Sequence, residues 1–123
     1  MPWHSGSPIY AQLAQQISAA ILDGTLAEGQ ALPSVRQIAG EQQINPLTVQ
    51  RALAQLADNG VIEKRRGQGS VVKKGAKQRL LTEERALFLN QQWPHIKAHI
   101  KRLGLSVEAL VKDGFGEDDG HTD

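Results

Sequence analysis

A chain of 123 residues has room for one compact domain with extensions, and with two Trp, two Phe and one Tyr its small core must be mostly Leu, Ile, Val and Ala. The absence of cysteine excludes disulfides and thiolate metal sites and fits a reducing compartment. The formal net charge is only +1, which rules out a broadly basic protein, so the distribution of charge carries the information.

Residues 1–74 carry seven Lys and Arg against five acids, and residues 75–123 carry seven against eight. Most of the basic excess lies in Lys64, Arg65, Arg66, Lys73 and Lys74. The start, MPWHSGSP, lacks the layout of a signal peptide, and no apolar run reaches the roughly 18 residues a membrane span needs, so a soluble cytoplasmic protein is expected. A core this small is marginal alone, which makes burial in an oligomer a reasonable expectation.

In chain order, Ser7 as cap and Pro8 at the first helical position announce a helix with Ile9, Leu13, Ile17, Ala20 and Ile21 at steps of three and four, ending near Gly24. TLAEGQAL is a short link. Ser34 caps a second helix, with Gln37 placed to complete a capping box and Val35, Ile38 and Ala39 on its apolar side. Asn45 then caps a third, and Pro46 begins it without cost because the first helical N–H has no intrahelical partner. Val49, Ala52, Leu53 and Leu56 form its buried stripe; opposite lie Leu47, Gln50, Arg51 and Ala54, with Thr48 at the flank. Two short helices in close succession, the second with a polar and basic outer face, make a helix-turn-helix pattern.

After Gly60 the runs VIEKRR and SVVKK are β-capable and enclose GQG, the flexible tip of a hairpin; both end in positive charge, as a DNA-binding wing would. The expected divisions are a winged domain over 7–74, a polar linker over 75–80, a helical dimerisation element over 81–113 and a disordered acidic tail over 114–123. Ala86, Leu89, Trp93, Ile96, Ile100 and Leu103 mark the stripe of a long helix that Pro94 should kink or split and Gly104 should stop. Ser106 caps a last short helix with Val107, Leu110 and Val111 inside. Two such helices make no useful core of their own, and a second copy is the economical partner.

Functionally, Gln50 and Arg51 would reach bases or phosphates, while Ser34 and Thr48 donate to phosphate. Leu47 either touches a thymine methyl or folds back onto helix neighbours. The bland alternative is a winged-helix module for protein contacts or assembly, its charges merely solvated. His95 and His99 share a helix face at metal-compatible spacing, but no carboxylate stands at a fitting offset, and no metal or other cofactor is expected. Nor does any nucleophile, carboxylate pair or phosphate-cradling loop suggest an enzyme.

The ordered set PIY, DG.L..G..LPS.R, NP.TV.RA and G.I...RG.G, over about residues 7–72, resembles the DNA-binding domain of the GntR family of bacterial transcription regulators. The resemblance implies a mainly α winged helix-turn-helix fold, with DNA contacts at Arg36, through Asn45 to Arg51, and in the wing at Arg65, Arg66, Gly67, Gln68 and Gly69. Leu47 and Gln50 fall at the family's variable recognition positions, and Leu53 stands where an aromatic is common. The short C-terminal part is similar to that of the YtrA branch, implying a homodimeric repressor on a palindromic operator that an unidentified small effector releases. Leu89, Trp93, Ile96, Ile100 and Leu103 would form the dimer interface.

Overall fold

The computed structural model describes residues 3–116, in a chain of two compact units, Met1–Glu83 and Glu84–Asp123. In the first unit, helix α1 (Ile9–Leu22) begins one residue later than expected. Pro8, not Ser7, is its N-cap: Pro8 is extended (φ −61°, ψ 151°), and its carbonyl accepts from the Ala11 and Gln12 N–H groups at 3.1 and 3.2 Å. Ser7 is engaged differently, because the Gln12 side chain donates to the Ser7 carbonyl at 2.8 Å. Gln12 also donates to the His4 carbonyl and accepts from the His4 N–H, which is how a buried glutamine keeps its hydrogen bonds.

Helix α2 (Val35–Gln42) is capped as the sequence suggests, Ser34 Oγ accepting from the Gln37 N–H at 3.1 Å. It ends on Gln43, whose left-handed backbone (φ 56°) turns the chain sharply, and the Ile44 N–H closes that turn on the Ala39 carbonyl at 3.1 Å. Two residues later helix α3 (Pro46–Asp58) starts, with Pro46 in its first turn and Asn45 Oδ1 accepting from the Leu47 N–H at 2.8 Å. Val49, Ala52, Leu53 and Leu56 are its buried residues, the stripe read from the spacing.

Strands β1 (Ile62–Arg65) and β2 (Gly69–Val72) pair antiparallel, Ile62 opposite Val72 and Arg65 opposite Gly69. The expected link between α1 and α2 does more than connect. Its Gly29 and Leu32 N–H groups donate to the Val72 and Ser70 carbonyls, each at 2.8 Å, and Gln30 accepts from the Val72 N–H at 2.9 Å. Val71 and Val72 are fully buried, so the outer edge of β2 needs such partners, and residues 29–32 supply them.

The core gathers Leu13, Ala14, Ile17 and Ile21 of α1, Ile38 and Ala39 of α2, the α3 stripe, and Val61, Ile62 and Val72. Trp3, Tyr10 and Val35 pack at its margin. Two further members correct the expected linker. Residues 76–80 are the first turns of helix α4 (Ala76–Leu87), with Ala76 1% and Leu80 5% exposed. Ala76 and Leu80 lie four apart on one helix face, while the polar residues between them face water. The cap comes from far away in sequence: the Glu28 carboxylate accepts from the Gly75 and Lys77 N–H groups at 3.0 and 3.1 Å.

Those bonds, first from Gly75 and then from Lys77, hold the Glu28 carboxyl below its usual 4.5. A lowered folded-state pKa means the clasp is fully present above the usual value and is lost as pH falls through the lower one. Amide exchange followed by NMR should therefore show Gly75 and Lys77 protected at about pH 6, with protection relative to intrinsic rates falling as the pH is lowered past the usual carboxylate range. In Glu28→Ala both amides should exchange freely throughout. Protection in Glu28→Ala equal to that in the wild type at about pH 6 would exclude the clasp.

In the second unit α4 runs out into a π-helical turn, Phe88–Gln92, and then helix α5 (Trp93–Arg102). Pro94 lies in the first turn of α5, where its missing N–H costs little, and the Trp93 N–H reaches back five residues to the Phe88 carbonyl. The proline is met by a widened turn rather than a break. Phe88 stacks on Trp93 with ring centroids 6.2 Å apart. Gly104 follows with φ 71°, and helix α6 (Val107–Val111) is capped by Ser106 Oγ, which accepts from the Ala109 N–H at 3.2 Å. Residues 112–116 form a second π-helical turn; the rest of the expected acidic tail, 117–123, lies outside the described residues.

Val107, Leu110 and Val111, expected inside, are exposed, and neither α5 nor α6 buries a residue. Among the described residues, no helix is long and apolar enough to cross a membrane.

Candidate nucleic-acid interface

The sharp turn at Gln43 and the cap at Asn45 fix where α3 begins, and its inward stripe fixes which residues it turns to water. Leu47, Gln50, Arg51 and Ala54 are exposed and Thr48 is half-buried. Leu47 is 69% exposed. Gln50 and Ala54 line one groove with Glu63, Lys64 and Ser70, which brings the outer side of α3 beside the ribbon.

At the helix starts, the capping bonds dictate what chemistry remains. Ser34 Oγ and Asn45 Oδ1 already accept from backbone N–H groups, so the Ser34 hydroxyl proton and the Asn45 amide N–H bonds are left to donate outward. Donors beside helix N-termini suit phosphate oxygens. Arg36, in the first turn of α2, is exposed.

At the ribbon tip Gly67 and Gly69 have φ of 79° and 77°, the left-handed region that favours glycine. Beyond their chain neighbours, no atom lies within 4 Å of where a Cβ would stand at either, so backbone angle and not space calls for glycine. The Gln68 N–H closes the turn on the Arg65 carbonyl at 3.0 Å, and Arg66 and Gln68 are exposed. Arg65 is already engaged: its Nε and Nη2 donate to Glu63 Oε2 at 3.1 and 2.9 Å. Both side chains are more than a third exposed, so solvent screens this pair to at most about 1 kcal/mol.

Arg51 is held by a ring rather than a carboxylate. Its guanidinium carbon lies 4.1 Å from the centroid of Tyr10, near the start of α1.

Three residues in this arrangement escape sequence reasoning. Glu63 had a legible signal, since residues two apart on a strand share a face with Arg65. Tyr10 and Glu28 meet their partners only through the tertiary fold. His95 and His99 gain no companions: among the described residues no group of three or more His, Asp or Glu is placed to hold a metal.

Helices joined by a tight turn, an exposed polar and basic face on the later one, and a glycine-tipped ribbon beside it define a winged helix-turn-helix protein. The model of bacterial regulatory proteins of the gntR family matches residues 9–72, and the chain belongs to that family of DNA-binding transcriptional regulators, which are not enzymes. It is 32% identical over 110 residues to the Bacillus subtilis HTH-type transcriptional regulator YhcF, covering 89% of each chain. To the B. subtilis HTH-type transcriptional repressor YtrA it is 34% identical over 106 residues, covering 86% of this chain and 81% of YtrA. Among solved structures, a GntR family transcriptional regulator from Listeria monocytogenes superposes with a TM-score of 0.71 at 29% identity, over 89% of this chain and 94% of that one. Because these similarities extend well beyond the winged domain, they assign the chain to the YtrA-like branch.

Proposed function

We propose that the protein is a homodimeric repressor that acts in the cytoplasm by occupying a palindromic operator and is released by a small effector. The observation that carries this reading is the outer face of α3, which offers Leu47, Gln50 and Arg51 to solvent beside the ribbon. In it, α3 enters the major groove. Thr48, Arg51 and Arg36, with the outward donors of Ser34 and Asn45, hold the DNA, while Leu47 and Gln50 choose the bases. Arg65, Arg66, Gly67, Gln68 and Gly69 approach the neighbouring backbone. Two copies join through Leu89, Trp93, Ile96, Ile100 and Leu103, and their recognition helices meet half-sites about one helical turn apart. Similarity to a repressor supports the direction of control, since an occupied operator excludes polymerase.

Selection of bound duplexes from random DNA by the purified protein tests the reading. An inverted repeat should emerge, and its affinity should fall steeply with salt as counterions are released. Gln50→Ala should change the preferred bases in each half-site while lowering affinity for its own best sequence by less than about threefold. No selected sequence together with salt-insensitive binding would favour a winged-helix assembly module. An unchanged preference in Gln50→Ala would remove Gln50 from base reading.

A further inference from the structure

We propose that Tyr10 is a positioning residue that holds the Arg51 guanidinium ready for DNA; the inference rests on the reading that Arg51 contacts the operator. Tyr10 is half-buried near the start of α1 and packs at the margin of the core. Arg51 is exposed on α3, the helix whose Ala52 and Leu53 join Leu13 and Ala14 of α1 in that core. The contact between the two helices therefore fixes ring and guanidinium together. Their separation of 4.1 Å is well inside the range of about 6 Å over which a cation is drawn to an aromatic face.

What the ring leaves free matters most. A ring attracts the guanidinium without accepting a conventional hydrogen bond from it, so its forked N–H donors are not committed to a carboxylate among the described residues and can pair with two acceptors on a guanine or a phosphate. Among the described residues, Arg51 has no carboxylate within ion-pair distance, in contrast to Arg65 on Glu63. DNA need not displace a salt bridge to engage it. A long exposed arginine loses much rotamer freedom on binding, and the stack removes part of that loss before DNA arrives.

A double-mutant cycle on the duplex selected by the wild-type protein, with melting temperature measured for every variant, tests this. Tyr10→Phe should keep affinity within about twofold, whereas Tyr10→Leu should lose about three- to tenfold. In an Arg51→Ala background, Tyr10→Leu should cost nothing further, because the group it positions is gone. An equal loss in both backgrounds, or a loss in Tyr10→Phe matching that in Tyr10→Leu, would overturn the proposal, pointing to general packing or to a hydroxyl contact with DNA. Full affinity in Arg51→Ala alone would instead sink the reading of Arg51 as a DNA contact, a separate result.

Discussion

Arg51→Ala should weaken operator binding by about 1–3 kcal/mol while leaving the fold intact, and Arg36→Ala should do the same. Both side chains are exposed, so neither truncation opens the core. The loss falls on binding because a guanidinium pairing two acceptors with charge-assisted bonds has no counterpart in alanine. Anisotropy titrations at several salt concentrations also identify the role of each arginine. Removing a phosphate-binding group lowers affinity for all sequences alike and reduces the salt slope by about one, whereas removing a base-reading group relaxes preference at one position. Unchanged affinity in both variants would remove them from the interface.

The second large effect should come from Ile100→Asp. Ile100 is half-buried on α5, and around it the second unit leaves Leu89 and Leu103 60% and 59% exposed, with Ile96 also exposed. In the proposed dimer this is the face that a second copy covers. A carboxylate placed in the covered patch would have no partner and would have to be stripped of water, a penalty of several kcal/mol counted twice in a two-fold interface. Sedimentation at micromolar concentration should show monomers, with helix content kept in circular dichroism. Operator affinity should then fall by at least about 100-fold, since each half-site must be bound without help from its neighbour. Dimers that persist would move the interface off this face.

The most legible parts of the chain are those whose signals are local. Asn45 followed by Pro46, with an apolar stripe at helical spacing behind them, suffices to place α3 and its outward residues. GQG between two β-capable runs likewise places the ribbon, since its glycines carry the positive φ of the turn. The start of α4 is hidden for the opposite reason. KKGAKQ is polar and holds a glycine, and the cap that makes it helical arrives from Glu28, far back in sequence. The same holds for residues 29–32, which become an edge partner only once β2 exists. At Ser7 and Pro8 the signals are local but adjacent, and a one-residue shift follows from Ser7 serving Gln12 instead of the helix. At the interface, composition names the arginines, but what each rests against, Tyr10 or Glu63, is a property of the folded unit.

The two tryptophans fall one in each unit, Trp3 at the margin of the winged core and Trp93 against Phe88. Replacing either one leaves a single tryptophan, whose red-edge excitation avoids Tyr10 and reports on one unit alone. Emission from Trp3 can follow melting of the winged unit, and emission from Trp93 can test the proposed dimer by its response to dilution. The protein thus carries its own pair of optical probes, and changes in the two units can be followed separately without attaching a dye.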